Sequence, residues 1–216
     1  MNLTPDRVAW GPTYFVVLLF SLSVHELAHA WAALRMGDDT AARQGRVTLN
    51  PLSHIDPIGT LVVPALQFFW GGLPLLAWAR PTPVNGRSFR NPARGHVLVS
   101  GAGPLSNLLL ALLFSAVLFV GLRSGVRESQ PAMALLNTGV QVNVVLALFN
   151  LVPLPPLDGS SVFYWGMPAA IANGYRRLVQ PYGHWVLLGL FATGILGRLL
   201  APPVQLLSGV LYRLAL

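Results

Sequence analysis

The sequence contains no cysteine and no lysine, and charged residues make up only 10% of its 216 residues. Without cysteine the chain can form neither disulfides nor thiolate ligands, so any zinc site must use histidine, aspartate, glutamate and water. Soluble domains are typically about a quarter charged, whereas this chain is 54% hydrophobic. The composition therefore predicts a membrane protein.

The charge that is present is mostly of one sign. Fourteen arginines stand against 7 acidic residues, which gives a net charge of +7. The arginines are spread between apolar segments and are not clustered with aromatic residues, so nucleic acid is not an expected partner. Cytoplasmic loops of membrane proteins carry such an excess of basic residues. If segment 58–79 does not cross the membrane, one group of loop arginines falls on one side, which we predict to be cytoplasmic: Arg35, Arg43, Arg46, Arg80, Arg87, Arg90, Arg94, Arg176 and Arg177.

The apolar runs predict an all-α polytopic membrane protein with about four to six transmembrane helices of about 20 residues each. We expect a single domain covering residues 1–216. Spans are predicted at 12–36, 96–122, 131–149 and 178–200. A shorter membrane-embedded helix is expected at 160–172 and an interfacial tail helix at 204–216.

Segment 58–79 is also apolar, but Pro64, Gly71, Gly72 and Pro74 interrupt it. Backbone that is not helical at membrane depth must be buried in protein or face a water-filled cavity. This segment is therefore predicted to form a re-entrant or broken hairpin after the first span.

The stretch with the clearest chemical signal is 24–31, which reads VHELAHAW. It contains His25, Glu26 and His29 in the order H-E-x-x-H. On a helix, side chains four positions apart lie on one face, so the two imidazoles can bind one metal ion. Zinc held by two histidines keeps room for a third protein ligand and a water, and a neighbouring carboxylate can take the proton of that water.

The surroundings of Glu26 strengthen this interpretation. It is one of two glutamates in the chain, and segment 14–34 contains no other charged side chain. A carboxylate inside a membrane costs free energy unless it is paired or near a metal, so it is by default a functional hypothesis. The alternative is a pentapeptide that arose by chance.

A third ligand must come from the remaining histidines and acids. Asp158 follows a proline-broken helix end inside an apolar region, after the span that returns to the cytoplasmic side. Glu26 lies about 15 Å into the membrane from that side, at 1.5 Å per residue, so an unwound segment can hold Asp158 at the same level. The alternative role for Asp158 is to cap the helix from Ser160 onward. The other candidates are Asp6, Asp38, Asp39, His54, Asp56, His96, Glu128 and His184.

Three motifs in order, HELAH, GPLSN and NLVPLPPLDG, resemble the site-2 protease family of intramembrane zinc metalloproteases. The likeness is to its short bacterial members, which lack the PDZ and nucleotide-sensing (CBS) domains of larger relatives. It covers nearly the whole chain. What the resemblance implies is one Zn²⁺ per chain held by His25, His29 and Asp158, with Glu26 as catalytic base.

The same resemblance implies that Asn107 of GPLSN and Asn150 of NLVPLPPLDG lie close to the active site. There an amide can hydrogen-bond the substrate backbone or the developing oxyanion. The alternative for both asparagines is a hydrogen bond between helices.

The function expected from this pattern is hydrolysis of peptide bonds within or near transmembrane segments of other membrane proteins. The enzyme would lie in the bacterial plasma membrane, with its active site nearer the cytoplasmic side, and its partners would be the lipid bilayer and a transmembrane substrate. A rival from another class is a small transporter or metal-ion carrier with a midplane His/Asp site. Inverted repeats would favour that rival, and none is visible.

Overall fold

A computed structural model describes residues 5–70, 77–125 and 131–215. The described part of the chain contains helices and connecting loops but no strand, which confirms the predicted all-α class. The α-helices are α1 Pro5–Met36, α2 Thr40–Arg43, α3 Val63–Trp70, α4 Pro92–Arg123, α5 Pro131–Asn150, α6 Asp158–Gly166, α7 Ala169–Leu178, α8 Gly183–Ala192 and α9 Ile195–Ala215.

Among the residues that the structure describes, four helices are long and apolar enough to cross a membrane. They are the Gly11–Met36 part of α1, all of α4 and α5, and the Ile195–Leu214 part of α9. This number lies at the lower end of the predicted four to six spans. The chain is therefore a multi-pass membrane protein whose apolar helices contact the lipid bilayer.

The first span agrees with the predicted 12–36, since the candidate span is Gly11–Met36. Gly37 follows α1 with φ of 107°, a left-handed conformation that glycine adopts without strain and that commonly ends a helix. The helix that contains the span begins earlier, because α1 starts at Pro5 and continues through Pro12. Pro5 occupies the first turn, where a missing backbone N–H costs nothing.

The segment after the first span turns back on itself, as predicted. A stretch of π-helix, Pro57–Val62, leads into α3. On the return, the N–H of Trp78 donates to the carbonyl of Gly59 over 3.2 Å, and the hydroxyl of Thr60 donates to the carbonyl of Trp78 over 2.8 Å. Positions 71–76, with Gly71, Gly72 and Pro74, lie outside the described residues. Residue 78 therefore lies beside residues 59 and 60, so the beginning and the end of the segment are adjacent in space.

Helix α4 is the centre of the fold, since it packs against α1, α5, α6 and α9. Its small residues allow this: Gly103 is buried against α1, and Ala111 is fully buried in a cluster with Val140 and Val144 of α5. Close approach of helices in a membrane depends on such small residues.

The C-terminal part differs from the prediction. The expected helix at 160–172 is divided into α6 and α7, and the expected span at 178–200 is broken at Gly194, whose φ is 69°. The fourth candidate span is instead α9, where an interfacial tail had been expected. Its apolar face packs on α4 and α5, and Ser115 of α4 donates a hydrogen bond of 2.7 Å to the carbonyl of Leu211.

Candidate metal centre and its cavity

The middle of α1 brings the two motif histidines together. His25 and His29 lie one turn apart on the same face of the helix, and their Nε2 atoms are 3.0 Å apart. Both side chains are buried. The helical spacing predicted from the sequence is thus what places the two imidazoles side by side.

Asp158, the first residue of α6, completes the group. Its Oδ2 lies 3.1 Å from Nε2 of His25 and 3.3 Å from Nε2 of His29. The tight turn before α6 makes this possible: a Cβ on Gly159 would overlap the backbone of Leu151, so only glycine fits there. The residue preceding the helix is Leu157 and no side chain caps it, so Asp158 is not the N-cap that sequence reasoning left open.

The other ring nitrogens fix how the histidines are oriented. Nδ1 of His25 lies 2.6 Å from Oδ1 of Asn107, and Nδ1 of His29 lies 2.7 Å from the carbonyl oxygen of Val99. Both partners are acceptors, so each Nδ1 carries the proton and donates it. In the neutral imidazole the lone pair is then on Nε2, the arrangement found in metal-binding histidines.

These three atoms fit a metal ion. Two Nε2 lone pairs and a carboxylate oxygen converge, and Oδ2 of Asp158 accepts no hydrogen bond from the described residues although it is buried. Such an arrangement is repulsive unless a cation lies between the atoms. Ligands at about 2.0–2.1 Å from a tetrahedral zinc are roughly 3.3 Å from one another, which agrees with the separations of 3.0, 3.1 and 3.3 Å.

Asn107 lies behind His25. Its side chain is fully buried, and Nδ2 donates over 2.9 Å to Oδ1 of Asn143. Asn143, also fully buried, donates over 2.9 Å to the hydroxyl of Ser21. A chain of hydrogen bonds through α1, α4 and α5 therefore holds the imidazole of His25. This placement gives Asn107 a contact with His25 instead of the expected contact with a substrate.

Gly103 on α4 faces the two imidazoles directly. A Cβ at this position would overlap Nε2 of His29 and the ring of His25. The absence of a side chain is therefore what leaves space for the histidines, and for an ion between them, against α4.

Glu26 lies beside the metal-ligand group on α1. Its side chain is 8% exposed, and one carboxylate oxygen, Oε2, accepts hydrogen bonds from the backbone N–H of Thr82 over 2.9 Å and from the Thr82 hydroxyl over 2.7 Å. Thr82 belongs to the loop that follows the re-entrant hairpin. A carboxylate held in this way next to three metal-ligand atoms can accept a proton from a metal-bound water.

All four groups line one cavity of about 510 Å³. His25, Glu26, His29 and Asp158 form one part of its wall, and Asn150 lies on the wall as well. The amide nitrogen of Asn150 donates over 3.0 Å to the carbonyl of Leu146 within α5. Of the two predicted asparagines, Asn150 therefore faces the cavity and Asn107 does not.

Comparison with known proteins gives relatives over most of the chain. It is 40% identical over 199 residues to "Putative zinc metalloprotease YwhC" of Bacillus subtilis, covering 88% of this chain and 85% of that protein. The chain belongs to the site-2 protease family of zinc metalloproteases. "Putative zinc metalloprotease Rip2" of Mycolicibacterium smegmatis is 32% identical to this chain. The matched region covers 83% of this chain and 66% of Rip2. A Synechocystis relative, sll0528, is 27% identical to this chain. The matched region covers 85% of this chain and 40% of sll0528.

No family model matches this metalloprotease, and no solved structure matches it. The names of its relatives specify zinc as the metal, in agreement with the donor set of two imidazoles and one carboxylate. The cofactor of the family member described here is therefore Zn²⁺.

Two other candidate ligands of the metalloprotease have different roles. His54 is 2% exposed, and its Nε2 lies 2.9 Å from the carbonyl oxygen of Thr48. Oδ1 of Asp56 accepts hydrogen bonds from the N–H groups of Ile58 and Gly59, which caps the π-helix. Asp38, a further candidate, is buried and accepts a hydrogen bond from the backbone N–H of Asn85. Within the described residues, the acid and histidine group that could hold a metal consists of His25, His29 and Asp158.

Sequence reasoning missed several residues of the site. Thr82 lies in a proline-rich loop that carried no signal of a catalytic contact. Asn143 could have been found, because a polar side chain in the middle of an apolar span is unusual and needs a partner.

Proposed function

We propose that this zinc metalloprotease is an intramembrane enzyme that hydrolyses peptide bonds within or near transmembrane segments of other membrane proteins, in regulated intramembrane proteolysis. The observation that carries the proposal is the convergence of His25, His29 and Asp158 beside Glu26, with both histidines and Glu26 on a helix long and apolar enough to span the membrane. A hydrolytic centre on such a span acts on chains that lie in the same membrane. The proposal treats the whole chain, residues 1–216, as one domain.

His25, His29 and Asp158 are the proposed zinc ligands, and Asn107 orients His25 from behind. A zinc ion held there would supply a water of lowered pKa and would polarise the carbonyl of the substrate. Glu26 is the proposed base of this HExxH centre: it accepts the proton from that water and later delivers it to the leaving amine. Asn150, on the cavity wall, is proposed to hydrogen-bond the substrate backbone or the oxyanion.

A transmembrane substrate hides its peptide carbonyls in helical hydrogen bonds and must unwind locally before it is cut. The cavity wall supports this, because part of it is the non-helical segment that includes Trp78 and Thr82. Backbone outside a helix has N–H and C=O groups that can pair with an unwound substrate strand. We propose that this segment and the re-entrant hairpin before it form the edge against which substrate binds.

We propose the bacterial plasma membrane as the location, with the active site nearer the cytoplasmic side. The arginines of the loops after α1 and before α4 support this orientation, since cytoplasmic loops carry an excess of basic residues. His29 and Glu26 lie nearer to the end of α1 at Met36 than to its beginning at Pro5, which is the end that leads into those loops.

The function is tested with purified protein in detergent or proteoliposomes and a panel of single-span substrates. Wild type is expected to cleave at least one substrate, and a zinc chelator is expected to abolish cleavage. Glu26→Gln keeps the shape of the side chain but cannot accept the proton, so it should retain zinc and lose cleavage.

Equal cleavage by wild type and Glu26→Gln would exclude Glu26 as the base. Cleavage that survives complete removal of zinc would exclude a zinc mechanism. A wild-type protein that carries zinc but cleaves only water-soluble peptides and no membrane-embedded substrate would contradict the intramembrane activity.

A further inference from the structure

Thr82 contacts the carboxylate of Glu26 through two separate donors. Its backbone N–H lies 2.9 Å from Oε2 and its hydroxyl lies 2.7 Å from the same oxygen. The hydroxyl is also 3.1 Å from the backbone oxygen of Glu26, but it has only one proton and the ionised oxygen is the stronger acceptor. Oε2 thus receives two hydrogen bonds, whereas Oε1 receives none from the described residues.

This asymmetry determines which oxygen is free to react. The last torsion of a glutamate side chain is broad, so an unrestrained carboxylate would rotate and present either oxygen. Two donors on Oε2 fix the plane of the carboxylate and leave Oε1 as the oxygen without a hydrogen-bond partner among the described residues. A catalytic group that is already held in its productive orientation avoids the entropic cost of reaching that orientation at each turnover.

The segment that carries Thr82 is itself held on both sides. On one side, the buried guanidinium of Arg46 donates over 3.3 Å to the carbonyl of Pro81. On the other, the N–H of Asn85 donates over 2.6 Å to the buried carboxylate of Asp38. Arg46 pairs with no carboxylate among the described residues, so its hydrogen bonds go to the loop backbone. Thr82 therefore reaches Glu26 from a fixed support.

We propose that Thr82 is a positioning residue for the catalytic base: its hydroxyl and its N–H fix the Glu26 carboxylate so that Oε1 accepts the proton during peptide hydrolysis. This inference rests on the proposed function of Glu26. The backbone donor survives any substitution, so the hydroxyl is the part that mutation can remove. Thr82→Val keeps the shape of threonine without the hydroxyl, and Thr82→Ser keeps the hydroxyl without the methyl group.

A direct readout comes from the carboxylate of Glu26. The chain contains only two glutamates, Glu26 and Glu128, so isotope-edited infrared spectra of protein labelled with ¹³C-glutamate contain two carboxylate signals, and Glu128→Gln assigns them. Thr82→Val is expected to shift the Glu26 signal in the zinc-loaded and zinc-free protein alike, because one hydrogen bond is lost. Thr82→Ser is expected to leave the signal at its wild-type frequency.

The kinetic readout is the cleavage of the substrate found for wild type. A poorly oriented base lowers the rate of the chemical step, so Thr82→Val should reduce kcat by roughly 10- to 100-fold while KM and the zinc-to-protein ratio stay unchanged. Thr82→Ser should restore kcat to within about threefold of wild type.

Thr60→Val is the matched control, because the Thr60 hydroxyl holds the same hairpin by donating to Trp78 but does not touch Glu26. It should leave the Glu26 signal in place. The inference is overturned if Thr82→Val has the wild-type kcat and signal, if Thr82→Ser loses as much activity as Thr82→Val, or if Thr60→Val shifts the Glu26 signal equally. Cleavage by Glu26→Gln would instead overturn the proposed function, which separates the two failures.

Discussion

Oδ2 of Asp158, at the start of α6, lies 3.1 Å from Nε2 of His25 in the middle of α1. The two residues are far apart in the chain and belong to helices that both pack against α4. The space between them and His29 depends on the packing of α4, because Gly103 is the residue of α4 that faces both imidazoles. The proposed zinc site is therefore a property of the assembled helix bundle and not of the HELAH motif alone.

Gly103→Ala is expected to disrupt the zinc site by sterics. The added methyl group would overlap the rings of His25 and His29, so zinc content and cleavage should both fall strongly. Gly101→Ala is the matched control, since a Cβ there meets no atom within 4 Å. The measurement is the zinc-to-protein ratio of the two purified variants, and equal, full zinc loading of both would show that Gly103 does not set this spacing.

Asn107→Leu removes the acceptor for Nδ1 of His25 while keeping a side chain of similar size. Partners of metal-binding histidines usually contribute about 10- to 100-fold in metal affinity, so zinc affinity should fall by that factor. Asn150→Leu, which alters the cavity wall and not the ring of His25, should keep wild-type zinc affinity. Competition with a chelator measures both zinc affinities. An unchanged zinc affinity of Asn107→Leu would show that the hydrogen bond between Asn107 and His25 does not support zinc binding.

Asp38 ties the loop after α1 to the Thr82 segment, and this contact should depend on pH. Burial alone would raise the pKa of Asp38, but hydrogen bonds from the Thr40 side chain and from the backbone of Asn85 and Thr40 outweigh it and hold the pKa below its usual range. A depressed pKa of an acid contributes stability at pH values above the unfolded-state pKa of about 3.9, and this stability is lost as pH falls through the folded-state pKa.

Thermal unfolding in detergent should accordingly become easier below about pH 4. Asp38→Asn should lower the melting temperature at pH 7 and weaken its dependence on acid pH. Asp39→Asn is the control, because the Asp39 carboxylate is exposed and pairs with Arg43 on the surface, and exposed pairs contribute little. Identical pH profiles of wild type and Asp38→Asn would contradict this role.

The orientation in the membrane can be tested without background labelling, because the chain has no cysteine. Arg87→Cys and Ser124→Cys place single exposed thiols before and after α4. A membrane-impermeant maleimide added to intact cells should label Ser124→Cys and not Arg87→Cys, and lysis should expose the second site. The reverse pattern would place the basic loops outside.

Much of the site could be predicted because the deciding signals are local. The spacing of His25 and His29 on a helix is a short-range property, and the absence of cysteine and scarcity of acids left few candidates for the third ligand. The class of fold followed from the apolar runs for the same reason. The position of Asp158 was harder to predict. Its contact with His25 depends on the tight turn before α6 and on the packing of α1 and α6 against α4.

The parts that sequence did not reveal are set by tertiary contacts. The contact of Thr82 with Glu26 joins a loop to a span, and neither the loop composition nor its spacing indicates it. The last span was misplaced because 178–200 is the more apolar run, whereas Gly194 breaks it and the following segment finds a packing surface on α4 and α5.

The central claim is that His25, His29 and Asp158 together hold the zinc ion. Its most direct test is the zinc-to-protein ratio of folded, monodisperse Asp158→Ala compared with wild type and with Asp56→Ala, since Asp56 caps a helix elsewhere. We predict about one zinc per chain for wild type and Asp56→Ala, in keeping with a single three-ligand site, and a large loss for Asp158→Ala. Full zinc loading of Asp158→Ala, with loss in Asp56→Ala, would contradict the account.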